Sequence, residues 1–219
     1  MMEVITKTPA MDPSGFVLLA DYVPEIIQEI RYYSTYNFIG DRIDGYEEPC
    51  ALLTREAARA LKAVSSEMNA LGYRLKVFDA YRPVCAVKRF VLWGIDDLDL
   101  RMKPFFYPTL DKKTVFARGY IATQSSHSRG SAVDLTLLDM QTGKEVDMGS
   151  PFDLFSEISH PDYRGITEEQ YYNRMILQTA MLRNGFNPID CEWWHFSLAN
   201  EPYPDTYFEF PVSSAYLKL

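Results

Sequence analysis

The sequence is poor in cysteine and has no long apolar run, and both shortages narrow the classes of protein it could belong to. Its 219 residues include three cysteines, which lie far apart and form no CxxC pair: Cys50, Cys85 and Cys191. We therefore expect neither a disulfide framework nor a thiolate zinc site, but three free and largely buried thiols. The longest apolar run, at residues 16–20, is far shorter than the roughly 20 residues that a membrane helix needs.

Basic residues are also in short supply. The chain has 22 Lys and Arg against 30 Asp and Glu, a net charge of −8 at pH 7, and its longest basic runs are pairs. Because nucleic acids and anionic membranes are bound by clustered Lys and Arg, we expect neither as a partner. Residues 1–9 lack the basic and apolar regions of a secretory signal, which predicts a cytoplasmic protein, or a periplasmic one if a signal has been removed. Homo-oligomer formation is left open.

What the sequence does contain is the pattern of a single α+β domain over residues 1–219. No Pro/Gly/Ser-rich linker divides it. Apolar spacing and capping residues predict three helices. The first covers residues 55–71 and follows Thr54, the second covers residues 83–92, and the third covers residues 167–185 and is opened by the capping box Thr167-x-x-Gln170. Alternating or aromatic-rich segments predict strands at residues 73–79, 132–138 and 192–198. Residues 105–116 read as irregular. Helices and strands are mixed without regular βαβ alternation, which favours α+β.

Three histidines carry the first hint of chemistry. His127 leads into the strand of Asp134, whose carboxylate points away from the apolar face of that strand and is therefore either solvated or used. Two imidazoles and one carboxylate form a common zinc ligand set with an open fourth position, and His195 supplies the second imidazole. A further carboxylate can act as general base, and Glu192 lies three residues before His195. For His160 we expect a structural or surface role.

The spacing of Glu192 and His195 raises a geometric question. In a regular strand, residues three apart point to opposite faces, so the two side chains cannot both face one metal. Either Glu192 lies in the turn that leads from residues 187–188, or a β-bulge redirects one of the two side chains.

Two motifs give the chain a family resemblance. The pattern Ser-x-His-x-x-Gly-x-Ala-x-Asp at residues 125–134, followed by Glu-x-x-His at residues 192–195, resembles the zinc signature of the D-alanyl-D-alanine-type M15 peptidases. Four further segments resemble the vancomycin-resistance-type D-Ala-D-Ala dipeptidases of that family: residues 44–46, 79–83, 148–153 and 201–204. The resemblance covers residues 31–211, while residues 1–30 match poorly. It implies a mainly antiparallel central sheet flanked by helices.

The resemblance also implies a reaction. Members of this group hydrolyse the dipeptide D-Ala-D-Ala, a building block of peptidoglycan, with one zinc ion per chain. The family's zinc ligands are matched by His127, Asp134 and His195. Glu192 matches the base that assists the attack of zinc-bound water, and Arg82 matches the arginine that steadies the oxyanion. Without the resemblance, the sequence favours Arg82 as a helix-end arginine that pairs with Asp79 on the surface.

Three more positions match substrate contacts of the family. Asp153 matches a carboxylate that receives the substrate ammonium, and Tyr32 and Ser125 fall where the family has further contacts. Asp153 has an alternative interpretation as the N-cap of a turn that starts at Leu154.

Two rival functions stay open. An M15 D,D-carboxypeptidase or endopeptidase that acts on peptidoglycan stem peptides should show an export signal and an open groove. A catalytically silent module that binds zinc or recognises cell wall is the other, although a structural zinc site would need neither Glu192 nor Arg82.

Overall fold

A five-stranded sheet lies at the centre of the computed structural model, which describes residues 8–218. Residues 1–7, on which the expectation about a secretory signal partly rests, lie outside the described residues. The strands are β1 (Phe16–Leu18), β2 (Ile27–Gln28), β3 (Leu52–Thr54), β4 (Tyr73–Asp79), β5 (Ala132–Asp139), β6 (Phe186–Pro188) and β7 (His195–Leu198). The central order is β2-β4-β5-β7-β6, and β1 pairs with β3. Among the paired strands of residues 8–218, β2 and β4 run parallel and the other pairs antiparallel, so the predicted α+β fold with a mainly antiparallel sheet is confirmed.

Helices flank this sheet, and three of them begin at a side-chain cap. The helices are α1 (Leu19–Tyr22), α2 (Arg55–Ala70), α3 (Val84–Ile95), α4 (Lys103–Phe106), α5 (Lys112–Ala117) and α6 (Glu168–Arg183). The Thr54 hydroxyl accepts a hydrogen bond from the Ala57 amide at the start of α2, and Thr167 forms the predicted capping box with Gln170. The long helices α2 and α6 have 16 residues each, and no helix within residues 8–218 has the length and apolar character to cross a membrane.

Residues 105–116 correct one prediction, since most of this segment is helical rather than irregular. The Asp111 carboxylate caps α5 by accepting a hydrogen bond from the Thr114 amide at 2.7 Å. Lys112 then donates from Nζ to the carbonyl of Trp93 at the end of α3, at 2.9 Å. Helices this short are stable only through such tertiary contacts, so their sequence carries no apolar period long enough to read.

The last predicted strand is also shorter than expected. β7 begins at His195, residues 193–194 form a turn, and Glu192 precedes that turn in the connection from β6. Glu192 is therefore free of the strand's alternation, and the first of the two geometric alternatives is correct.

The register of three neighbouring strands brings acidic and imidazole side chains into one row. Asp79 on β4 lies opposite Asp134 on β5, and Asp134 lies opposite His195 on β7. The β4 register shifts between Val77 and Asp79, as at a β-bulge, which re-aims the end of that strand. Asp134 is only 2% exposed, so its carboxylate is not solvated. The polar face of β5 is thus buried against the rest of the molecule.

His127 is held beside this row by a tight turn. The 3₁₀ turn Ser126–Arg129 ends at Gly130, whose φ of +79° favours glycine. A Cβ at Gly130 would lie 2.2 Å from the ring of Phe16, and the Gly130 carbonyl accepts a hydrogen bond from the Thr54 amide at 2.8 Å. The N-terminal strand β1 therefore packs directly beneath the loop that carries His127.

Gly130→Ala should lower the free energy of unfolding by roughly 2–4 kcal/mol, because it combines left-handed strain with overpacking against Phe16. Gly143→Ala is the matched control, since Gly143 also has a positive φ, +69°, but has open space around it. The control should cost only about 1 kcal/mol. Urea denaturation of both variants measures the two losses of unfolding free energy. Equal losses would mean that the Phe16 ring moves aside for the added methyl group without a loss of stability.

Candidate active site

A cavity of about 170 Å³ opens beside the row formed by β4, β5 and β7. The structure brings all of the predicted site residues to its walls: Tyr32, Arg82, Ser125, His127, Asp134, Asp153, Glu192 and His195. Residues more than 150 positions apart in the chain thus converge on one small space. The structure places these residues together, while the role of each one stays a prediction.

Three of these side chains point ligand atoms at a common centre. His127 Nε2 lies 3.0 Å from His195 Nδ1 and 3.3 Å from Asp134 Oδ2. His195 Nδ1 lies 3.0 Å from Asp134 Oδ1. Within residues 8–218, these three form the group of His, Cys, Asp and Glu that could hold a metal ion.

The outer ring nitrogens of both histidines have partners that fix their orientation. His127 Nδ1 lies 2.6 Å from the carbonyl oxygen of Ala80, which can only accept, so Nδ1 carries a proton and a neutral ring would turn its Nε2 lone pair toward the centre. His195 Nε2 lies 3.2 Å from Ser197 Oγ and 3.3 Å from Ser126 Oγ. A neutral His195 that donates from Nε2 would likewise turn the Nδ1 lone pair toward the centre.

This arrangement fits a zinc ion. Two nitrogen lone pairs and a carboxylate that face one another repel unless a proton or a cation lies between them. Ligand atoms of a tetrahedral zinc at 2.0–2.2 Å stand roughly 3.3–3.6 Å apart, close to the spacings of this triangle. Burial also lowers the pKa of His195, which favours the neutral form that binds metal.

We expect one metal ion per chain, and His127→Ala and His195→Ala should each abolish it. His160→Ala is the control: His160 Nε2 contacts the Tyr120 hydroxyl at 2.9 Å, and His160 is not part of the ligand group. Metal analysis after dialysis measures the stoichiometry of each variant. Loss of metal in the His160 variant would contradict the assignment.

The guanidinium of Arg82 lies at the wall of the cavity, and its side chain is 12% exposed. It does pair with Asp79, as one interpretation of the sequence has it, but that pair is buried and does not lie at the surface. Arg82 Nη2 also approaches Asp134 Oδ2 at 3.5 Å. Its guanidinium carbon lies 4.8 Å from the ring centroid of Tyr32 and 5.1 Å from that of Phe90.

Asp153 occupies a strained position on the cavity wall. Its φ of +62° is the only positive value at a non-glycine residue within residues 8–218, and its side chain is buried. Asp153 Oδ2 accepts a hydrogen bond from the Tyr32 hydroxyl at 3.0 Å. The Phe155 amide, to which an N-cap at Asp153 could bond, instead donates to the carbonyl of Phe106 at 2.7 Å, so the carboxylate is engaged by Tyr32 and not by the turn. Burial, with the charge of Asp134, raises the pKa of Asp153 to about 8.

This raised pKa gives the stability of the protein a defined pH dependence. Between the ordinary pKa of 3.8 and about 8, folded Asp153 keeps a proton that the unfolded chain releases. The free energy of unfolding should therefore fall as pH rises, by roughly 1.4 kcal/mol per unit relative to Asp153→Asn. Urea denaturation of the metal-free proteins at pH 5, 6 and 7 measures this difference, because a bound dication would lower the pKa. A constant difference would show that Asp153 ionises normally.

Glu192 faces the same cavity from the connection between β6 and β7, and it is 8% exposed. Burial raises its pKa well above the ordinary value, and the charges of Asp134 and Asp153 add to the effect. A carboxylate that holds a proton more readily than usual is suited to proton transfer near neutral pH. Ser125 has a local role: its hydroxyl accepts a hydrogen bond from the His127 amide at 3.3 Å.

Several supporting residues could not be identified from the sequence. The carbonyl of Ala80 is a backbone group, and Ser197 carries no spacing signal, whereas Ser126 lies within the resembling residues 125–134. Asp79 and Tyr46 lie within the segments that carry the family resemblance, which is the signal that could have found them. Another resembling segment, residues 201–204, is tied to the His127 turn through Arg129, whose Nε lies within 2.9 Å of both carboxylate oxygens of Glu201.

The chain is similar to known dipeptidases over nearly its whole length. Residues 12–213 match the model of peptidase family M15, described as "D-ala-D-ala dipeptidase". The D-alanyl-D-alanine dipeptidase of Enterococcus faecalis is 41% identical over 200 residues, which cover 91% of this chain and 99% of that protein. The proteins of the same name from Enterococcus faecium and Streptomyces coelicolor are each 40% identical, covering 90% and 88% of this chain and 98% and 97% of their own.

Proposed function

The chain belongs to peptidase family M15, and from that membership we propose that it is a zinc-dependent dipeptidase that hydrolyses D-alanyl-D-alanine to two D-alanines. The observation that carries the proposal is the cavity, where the ligand group, Glu192, Arg82 and Asp153 line one small space. Its volume of about 170 Å³ lies below the ~300–1,000 Å³ of sites for drug-sized ligands, which suits a dipeptide.

His127, Asp134 and His195 would hold the zinc ion. When bound, zinc supplies Lewis acidity that polarises the scissile carbonyl and lowers the pKa of a water at its open position to about 7. Glu192 accepts a proton from the attacking water and then delivers it to the amine that leaves. A raised pKa makes Glu192 a better base in the first step. In the second step the leaving amine is more basic still, so it takes the proton from Glu192.

Charge develops on the carbonyl oxygen as the carbon becomes tetrahedral. Arg82 donates hydrogen bonds to that oxygen, and removal of one well-placed donor of this kind costs roughly 3 kcal/mol of transition-state stabilisation. At the other wall, Asp153 receives the ammonium of the substrate, and the Tyr32 hydroxyl keeps the carboxylate aimed at it. Ser125 lies beside the first metal ligand, where it contacts the substrate.

The two rival functions fit less well. A stem peptide would have to place its remaining residues outside a cavity of about 170 Å³, and it would present a neutral amide where Asp153 is expected to receive an ammonium. A silent binding module would have no use for a buried Glu192 and Arg82, because burying charged groups without a task is costly.

Release of D-alanine by the zinc-loaded protein tests the proposal. The protein is offered D-Ala-D-Ala and a stem pentapeptide that ends in D-Ala-D-Ala, and a chelator-treated sample serves as control. We expect cleavage of the free dipeptide only, and none after chelation. Cleavage of the pentapeptide at an equal kcat/KM would assign the chain to the carboxypeptidases instead.

A further inference from the structure

One buried carboxylate near the cavity has no part in the mechanism above. Asp79 is 0% exposed, and burial raises its pKa. It does not belong to the ligand group, and it does not line the cavity. A fully buried carboxylate is costly unless its hydrogen bonds are satisfied. Its partners therefore indicate what it is for.

Both oxygens of Asp79 are engaged, on two different sides. Oδ2 lies 2.9 Å from Arg82 Nε and 2.9 Å from Arg82 Nη2, so a single oxygen accepts hydrogen bonds from both nitrogens on one edge of the guanidinium. Oδ1 accepts a hydrogen bond from the hydroxyl of Tyr46 at 2.7 Å. The carboxylate cannot rotate without breaking one of these contacts. The guanidinium thus presents its remaining N–H groups to the cavity.

Tyr46 is itself immobilised. It is 2% exposed, and its ring packs against that of Tyr32 at a centroid distance of 5.8 Å. The preceding Gly45 has a φ of +86° and lies against Pro83, where a Cβ would come within 2.5 Å of the proline ring. The turn that carries Tyr46 is therefore packed against the residue that follows Arg82.

We propose that Tyr46 and Asp79 are positioning residues that hold the guanidinium of Arg82 in the orientation needed to meet the developing oxyanion. The inference deepens the proposed function and rests on it. Tyr46 neither lines the cavity nor belongs to the ligand group, and it acts through the Asp79 carboxylate that its hydroxyl binds. Without the Tyr46 hydroxyl, Asp79 Oδ1 loses its hydrogen-bond donor in a site that water does not reach. The carboxylate then rotates so that its two oxygens share the N–H donors of Arg82. Arg82 then leaves its orientation.

Tyr46→Phe tests this inference on the zinc-loaded protein. We expect kcat for D-Ala-D-Ala to fall about 10-fold with KM within twofold, the pattern of a contact made in the transition state. Tyr81→Phe is the matched control: Tyr81 is equally buried, but its hydroxyl donates to the backbone carbonyl of Phe210 and to no carboxylate. The control should keep the kcat of the unmodified protein.

The Arg82→Ala background separates positioning from a general structural role. There, Tyr46→Phe should change kcat by less than twofold, because the group that it orients is absent. Asp79 also lies 3.7 Å from His127 Nδ1, which offers a second route through a residue of the ligand group. A full 10-fold loss in the Arg82→Ala background, or loss of zinc in Tyr46→Phe, would establish that second route and overturn the inference.

Asp79→Asn provides a second variant, which keeps the volume and can still accept from Tyr46. It should lower kcat with the same dependence on Arg82. An active unmodified protein whose Tyr46→Phe and Asp79→Asn variants keep full kcat would overturn the positioning role alone. An inactive, zinc-loaded unmodified protein would instead overturn the proposed function.

Discussion

Glu192→Gln should lower kcat for D-Ala-D-Ala by about 10³-fold while the protein keeps its metal. Glutamine fills the same buried space beside the cavity, but its amide cannot accept a proton from water. Because Glu192 lies outside the three-residue ligand group, its replacement removes no metal ligand. Steady-state kinetics and metal analysis of the same preparation measure the two quantities.

Glu145→Gln is the control for this substitution. Glu145 pairs with Lys76 at 2.7 Å on a half-exposed surface, away from the cavity lining, so its replacement should leave kcat unchanged. If Glu192→Gln loses its metal, Glu192 is a ligand and the proposed division of roles is wrong. If it keeps most of its activity, the base lies elsewhere.

Asp153→Asn should remove the preference for a free ammonium group. In the unmodified protein we expect D-Ala-D-Ala to exceed its N-acetyl derivative by at least about 10³-fold in kcat/KM. The acetylated substrate places a neutral amide against a buried carboxylate and leaves that charge unpaired. Asparagine tolerates the positive φ of this position and can still accept from Tyr32, so the fold and the metal should be retained. Discrimination should then fall to within about 10-fold.

Tyr32→Phe separates the charge of Asp153 from its hydrogen bond. This variant keeps the carboxylate and should keep most of the discrimination, with a weaker affinity for both substrates. Kinetics with the two substrates on the three proteins distinguish the effects. If Asp153→Asn leaves the discrimination intact, the ammonium is bound by another group.

Sequence reasoning succeeded where a local signal determines the structure. Thr54 and Thr167 sit at helix starts because a hydroxyl in that place satisfies amides of the next turn, a rule that needs no tertiary information. The alternation along residues 73–79 and 132–138 predicted β4 and β5 for the same reason. The ligand group followed from residue types and from family resemblance, and the register of β5 and β7 explains why Asp134 and His195 meet.

Sequence reasoning failed where backbone groups of residues distant in the sequence determine the local structure. The two-residue strand β2 exists because its backbone pairs with β4, and α5 exists because Lys112 meets carbonyls at the end of α3. No pattern of side chains encodes the Ala80 carbonyl that orients His127. The positive φ of Asp153 is likewise imposed by its surroundings, since aspartate alone prefers other conformations.

The ligand group should also affect how long the protein persists before it is degraded. Asp134 and His195 are 61 positions apart, and the three cysteines are free, so a shared ion would act as a cross-link of this chain. Closing a loop of that length in the unfolded state is worth roughly 4 kcal/mol by the chain-entropy estimate for a disulfide. A cell short of metal would therefore hold a protein that opens more often and is degraded sooner. The amount of this protein, and not only its turnover rate, should follow the supply of the ion.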